Sequence, residues 1–252
     1  MSERPGRELR LGMLTPSSNT VLEPAMAAMT VGVPGLSLHA SRFRVTQIAL
    51  SAEADAQFEF APMVAAAELL ADARCDAIAW NGTSASWLGF ERDEALCAAI
   101  TAATGIPATS AVLGFRDLFR ATGVRRVGLV TPYTADVQAR IGANWAAAGF
   151  PCTAERAVGL SENFAFAQVA EDRIEAMIRD VVREGCDAVA IVCTNMRGAA
   201  LAGRLERELG VPIHDSVSVT LRASLLLAGA DLSGPAFAPL RGWGSLFSGV
   251  PA

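Results

Sequence analysis

Residues 186–198 read CDAVAIVCTNMRG, an apolar run that stops abruptly at Cys193, Thr194 and Asn195. A short unbroken apolar segment bounded by turn residues has the composition of a strand buried on both faces. A small polar turn at its end belongs at the carboxyl edge of a parallel sheet, where open α/β folds keep their ligands. The phrase occurs twice. Residues 75–89 read CDAIAWNGTSASWLG, so that Cys75-Asp76-Ala77 answers Cys186-Asp187-Ala188, Thr83 answers Thr194, and Gly82 stands where the later copy has Cys193. One thiol is present where a duplicated design has room for two.

Working outward, the repetition extends over most of the chain. RLGMLTP at 10–16 is matched by RVGLVTP at 126–132, and GIPATSAV at 105–112 by GVPIHDSV at 210–217. Three landmarks in the same order point to an internal duplication. In the first copy the pattern predicts strands over 10–16, 36–45 and 76–80, helices over 21–29, 61–73 and 91–103, then a short strand and a helix over 112–121. In the second it predicts strands over 126–130, 152–157 and 187–192, helices over 135–148, 165–184 and 197–209, then a short strand and a helix over 217–228. Alternating strands and helices make an α/β fold with parallel sheets covered on both faces. The expected architecture is two pseudo-symmetric halves, 1–113 and 114–228, each a parallel sheet flanked by helices, with the active site in the cleft between them. Residues 229–252, rich in glycine and proline, read as a tail packed on the body.

Composition narrows the chemistry. The 252 residues are 52% hydrophobic and 19% charged, enough apolar content for a sizeable core. A net charge of −5 without blocks of like charge offers no footprint for nucleic acid or an anionic membrane, which leaves small molecules as the expected partners. The chain contains no lysine, which excludes an internal Schiff base and a covalently held pyridoxal group. Its five cysteines show no C-x-x-C spacing and read as reduced thiols in a cytoplasmic protein, with no metal centre expected. No apolar run has the length of a membrane span. Nucleotide-binding and hydrolase signatures are absent from the sequence as well.

Among the cysteines, four have the ordinary reading of small core residues. Cys193 differs because its strand gives way to a turn before an expected helix start, where backbone amides lower a thiol pKa. Gly82, Thr83 and Ser84 supply backbone amides and two hydroxyls at a strand end, a cradle for a carboxylate or oxyanion as well as a plain capped turn. Ser17, Ser18 and Asn19, after the first strand, have the same two readings. Tyr133, the sole tyrosine, follows Thr131-Pro132 at the position matching Ser17, and a lone phenol at a strand end suggests a needed hydroxyl. Asn163 lies in a loop with a polar side chain that either binds a ligand or satisfies its own backbone. His214-Asp215 invites a triad with Cys193, but its place in a short strand favours a satisfied core histidine.

With TPSSNT, GTSAS, TPY, CTN and the terminal GWGSLF in hand, the chain resembles the aspartate/glutamate racemase superfamily, and within it the maleate cis-trans isomerase and arylmalonate decarboxylase branch. The resemblance spans essentially the whole chain. It implies two flavodoxin-like halves, no cofactor, and a cleft that takes a small carboxylic or dicarboxylic acid. Racemases and isomerases of this kind carry a cysteine on each side, at the positions of Gly82 and Cys193. The decarboxylases resemble this chain in having glycine at the first position and a single protonating cysteine at the second, with the equivalents of Thr83, Ser84 and Tyr133 holding the surviving carboxylate.

These residues lead to an expected reaction: a cofactor-independent lyase acting on a malonate-type diacid. Cys193 is the catalytic proton donor, and Ser17, Asn19, Gly82, Thr83, Ser84, Tyr133, Asn163, Thr194 and Asn195 are the substrate-binding set. Leu14, Val192 or Met196 forms an apolar wall for the departing carboxylate. Two alternatives stand beside it, a maleate isomerase or related carboxylate isomerase or racemase, and a non-catalytic carboxylate-binding protein. A homo-oligomer is left open.

Overall fold

The computed structural model describes residues 8–248. The first seven residues and the last four of the expected tail lie outside the described residues. The chain runs β1 (Leu9–Pro16), α1 (Leu22–Thr30), β2 (Leu36–Phe43), α2 (Ala52–Asp55), α3 (Phe60–Asp72), β3 (Ala77–Trp80), α4 (Ala85–Leu88), α5 (Phe90–Thr104), β4 (Ala108–Ser110) and α6 (Ala111–Thr122). It continues β5 (Val127–Thr131), α7 (Ala135–Ala147), β6 (Cys152–Ala157), α8 (Asn163–Phe166), α9 (Glu171–Glu184), β7 (Ala188–Ile191), α10 (Ala199–Leu209), β8 (Ile213–Asp215) and α11 (Ser216–Leu227). The strands form two four-stranded parallel sheets, ordered β2-β1-β3-β4 and β6-β5-β7-β8. In each sheet the direction of winding reverses between the first and third strands, so the crevice at their carboxyl ends is the natural ligand position.

The repeated residues do repeated work. Asp76 accepts the Arg10 amide at 2.8 Å, and Asp187 accepts the Arg125 and Arg126 amides at 3.1 and 2.9 Å, so each aspartate anchors the start of its third strand to the start of the first. The Arg126 guanidinium and these amides hold the Asp187 carboxyl below the usual carboxylate range. Gly12 lies against the Cys75 sulfur and Gly128 against that of Cys186: a Cβ on either would come within 3.2 and 2.9 Å of it. These two cysteines are therefore core residues packed on their partner glycines. Every residue of β3 and β7 is buried, while the edge strands β2 and β6 alternate with solvent.

Three expectations change. The helix expected over 165–184 is two helices, α8 and α9, separated by residues 167–170. Cys193 does not precede a helix directly; α10 begins only at Ala199, and residues 192–198 form an irregular turn. The boundary between 113 and 114 falls inside α6, which begins at Ala111. That helix crosses α11 closely at Gly114, where a Cβ would sit 3.0 Å from Val219 Cγ1 and 3.2 Å from Ala223 Cβ. Helix α11, buried almost all round, also packs on β3 and β4 of the other sheet, so the two halves are joined by their last helices. Residues 235–247 form two 3₁₀ segments that bury Leu240, Leu246 and Phe247 against α1, α10 and α11. Among the described residues no helix is long and apolar enough to cross a membrane.

Candidate active site

The carboxyl ends of β1, β3, β5 and β7 converge on one small cavity of about 20 Å³, roughly the room of a single water molecule. Gly82, Thr83 and Ser84 enter from the end of β3, Tyr133 from β5, Asn163 from the start of α8, and Cys193 and Thr194 from the end of β7. These are seven of the ten residues expected at the site. The loop after β2 closes the cavity with Val45, Ile48 and Phe58, while Trp80 and Trp87 complete its aromatic side. The closing loop is fastened to the opposite half: Ile48 N donates to Ser161 O at 2.8 Å, and Asn163 N donates to Thr46 O at 2.9 Å.

The other three form the frame. Ser17 Oγ donates to Val45 O at 3.4 Å and accepts Val45 N at 3.2 Å, which holds the closing loop. Ser18 Oγ donates to the same carbonyl at 2.6 Å and accepts from Asn163 Nδ2 at 2.7 Å. Asn19 Oδ1 accepts the amides of Val21 and Leu22, both at 2.9 Å, and holds the chain as it enters α1. Asn195 Oδ1 accepts the Thr20 amide at 2.9 Å, and its Nδ2 donates to Asn163 O at 2.6 Å. Ser17, Asn19 and Asn195 are therefore absent from the cavity lining and spend their polar atoms on the surrounding frame, backbone in every case but the Asn19 amide nitrogen. Thr194 is the node between sheets: its Oγ1 accepts from Asn19 Nδ2 at 3.1 Å and donates to Asn81 O at 2.8 Å.

Cys193 is held at both ends. Its amide donates to Ser216 Oγ at 3.0 Å, and that hydroxyl donates to Ile191 O at 2.7 Å. Its sulfur accepts the Asn195 amide at 3.3 Å, and the nearby Tyr133 hydroxyl also favours the thiolate form. Tyr133 Oη lies 2.6 Å from Thr83 Oγ1, and with Thr83 as the donor the phenol keeps its own proton to give. The expected lowering of the thiol pKa does not occur. Burial, reinforced by Asp215, pushes Cys193 up to about 12 against the opposing influence of the amide and the hydroxyl. Burial likewise carries the Tyr133 phenol well above its ordinary value. Both groups rest neutral in the closed cavity.

The apolar wall also differs from expectation. Leu14, Val192 and Met196 are wholly buried core residues outside the cavity lining, and Val45, Ile48, Phe58 and Trp87 take that place. Periodicity had no means of finding a wall supplied by a loop and by a helix of four residues. His214 packs against Phe119, with ring centroids 6.1 Å apart, and does not line the cavity. Burial lowers its pKa to about 4.

Comparison with known proteins agrees with this geometry. The profile of the arylmalonate decarboxylase family matches residues 19–240. A maleate isomerase from Nocardia farcinica is 28% identical over 234 residues, 88% of this chain and 90% of that protein. An arylmalonate decarboxylase from Bordetella bronchiseptica is 31% identical over 151 residues, 59% of this chain and 63% of that one. A crystal structure of a double mutant of arylmalonate decarboxylase in a liganded form, 26% identical, superposes with a TM-score of 0.81 over 95% of this chain and 99% of that one. Since the matched span runs from Asn19, just before α1, through both strand-end turns to Leu240, the chain belongs to the arylmalonate decarboxylase family, whose named relatives here are enzymes.

Proposed function

We propose that this protein is a cofactor-independent lyase that removes one carboxylate from a malonate-type diacid and reprotonates the product through Cys193. The observation that carries the reading is the pairing of one buried, neutral thiol with a glycine at the matching turn. A thiol kept protonated by burial is a proton donor and a poor nucleophile. Addition to a carbon–carbon double bond calls for a thiolate and, in a two-sided cleft, a second group at Gly82.

In the proposed reaction the diacid enters once the Val45–Phe58 loop lifts, because the closed cavity is too small to hold it. The carboxylate to be lost faces the apolar wall, where it exchanges hydration for side chains that do not favour its charge. The C–C bond to that carboxylate breaks, carbon dioxide leaves, and the electron pair stays on the remaining enediolate. The Thr83 and Tyr133 hydroxyls, with Ser84 and the amides of the Gly82 turn, donate to its two oxygens. Cys193 then gives its proton to the α-carbon, and the Asn195 amide and Tyr133 hydroxyl stabilise the thiolate until solvent reprotonates it.

A maleate cis-trans isomerisation is the second reading, favoured by the greater span of similarity to the Nocardia farcinica isomerase. The two separate cleanly by proton NMR in deuterated water with phenylmalonate or maleate, run beside Cys193→Ala. The expected result is a monoacid carrying one deuterium at the α-carbon, formed by the wild type and lost at least 10³-fold in the variant. Fumarate from maleate, with phenylmalonate untouched, would overturn the lyase reading in favour of the isomerase.

A further inference from the structure

The glycine opposite Cys193 is not an empty place. Gly82 does not have the positive φ that demands glycine; what excludes a side chain is the indole of Trp80. A Cβ on Gly82 would lie 2.0 Å from Trp80 Cζ2, 2.4 Å from Cε2 and 2.5 Å from Cη2. These are atoms of a rigid ring, and the ring is wedged: Trp80 is 1% exposed, with the Phe43 and Phe58 ring centroids 5.1 and 6.4 Å away. The two copies of the repeat have exchanged bulk between neighbouring positions. Where the second copy has Ile191 and Cys193, the first has Trp80 and Gly82.

The indole also carries an unspent donor. Trp80 Nε1, bonded to the Cε2 atom that flanks Gly82, is buried and has no hydrogen-bond partner. A buried indole N–H normally finds an acceptor, and leaving one unmade is costly. Trp80, Gly82 and Cys193 line the same cavity. Thr83 and Tyr133 already share a hydrogen bond at 2.6 Å, and the Trp87 Nε1 in the same lining is likewise buried without a partner; the Trp80 N–H is the one carried by the ring that abuts the Gly82 turn.

We propose that Trp80 is a substrate-contacting residue of this site, its indole filling the space that a side chain on Gly82 would need and its orphan N–H donating to a carboxylate oxygen of the bound acid. The inference rests on the reading of the cavity as a carboxylic-acid site. It explains why the site is one-faced: a second thiol is excluded by packing as well as by its absence from the sequence. Restoring the two-thiol arrangement therefore takes two changes, Gly82→Cys together with a smaller residue at 80.

The test uses the full chain, Trp80→Phe, Gly82→Cys and the Trp80→Val/Gly82→Cys pair. In a 1H–15N spectrum the chain's four indole N–H groups are resolved, and the Trp80 signal is identified by its loss in Trp80→Phe. On titration with phenylmalonate and, separately, maleate, that signal is expected to move. Trp80→Phe, which keeps a ring but loses the donor, should bind the same acid about tenfold more weakly. Without ligand, Gly82→Cys is expected to lower Tm by about 5–10 °C, with much of the loss recovered in the pair. Decarboxylation with the Trp80 signal unmoved and Trp80→Phe binding as wild type would overturn the donor role and leave the proposed function standing. A signal that moves on binding without turnover would uphold this inference and sink the lyase reading. Failure of every acid to bind would overturn both, and a Gly82→Cys melt equal to wild type would overturn the packing claim.

Discussion

The sulfur of Cys193 meets two donors that favour its anion, the Asn195 amide at 3.3 Å and the Tyr133 hydroxyl, and still its pKa rises to about 12. Desolvation outweighs both influences, because a cavity with room for about one water cannot replace the hydration a thiolate loses. A side chain read from its position as an activated thiolate is, once buried, held as a neutral thiol. This separates it from nucleophilic cysteines in its response to alkylation. The rate of Cys193 modification by iodoacetamide, followed by mass spectrometry of the folded protein, is expected to be slow at pH 7–8 and to keep rising without a plateau to about pH 10. A plateau near pH 7 would mark a thiolate and remove the basis for the proton-donor role.

At the scale of elements, the design is a strand-end turn built twice on one framework. Gly12 with Cys75 and Gly128 with Cys186 set how closely each first strand approaches its covering side chains, and Asp76 and Asp187 anchor the strand starts. At Gly128 an added Cβ would meet Cys186 Sγ at 2.9 Å and Val181 Cγ2 at 3.0 Å. Gly128→Ala should therefore destabilise by about 1–3 kcal/mol through overpacking. In Gly128→Ala/Cys186→Ala the methyl gains the room left by the sulfur, so the double variant should lose less than the sum of the singles, by about 1 kcal/mol, in a urea-melt mutant cycle. Strict additivity would show that the two positions do not press on each other. The turns carried by this framework diverge freely: Asn195 holds the segment leading into α1 from across the cleft, whereas its counterpart Ser84 lines the cavity.

For the whole molecule, two buried carboxyls tie stability to pH. Burial raises Asp93 on α5 and Asp215 at the start of α11 to about 7 each. Between about pH 4 and 7 the unfolded chain releases these protons while the folded chain keeps them, so stability falls as pH rises and levels off above about 7. His214, lowered to about 4, acts in the opposite sense: the unfolded chain takes up its proton below about pH 6.5 and the folded chain only near 4. Two acids oppose one imidazole, so the net expectation is a Tm higher at pH 5.5 than at pH 8. Asp93→Asn, neutral throughout, should narrow that difference; an unchanged gap in a series of thermal melts would show that Asp93 is not ionising late.

The sequence by itself determined the duplicated α/β plan, because period, turn chemistry and repeated landmarks are local properties that survive reading along the chain. It also placed most of the cavity: the ends of β3, β5 and β7 could be found from where apolar runs stop, and seven of the ten expected residues meet there. Only the tertiary structure decided the rest. Which polar side chains face the cavity and which serve the frame depends on partners far along the chain, as with Asn195 and Thr20, 175 residues apart. The apolar wall comes from a loop after β2 and from α4, whose folding leaves no periodic mark. The protonation of Cys193 follows from burial on all sides, and the filling of the space beside Gly82 by Trp80 follows from a side-chain direction. Neither quantity exists until the two halves close on each other.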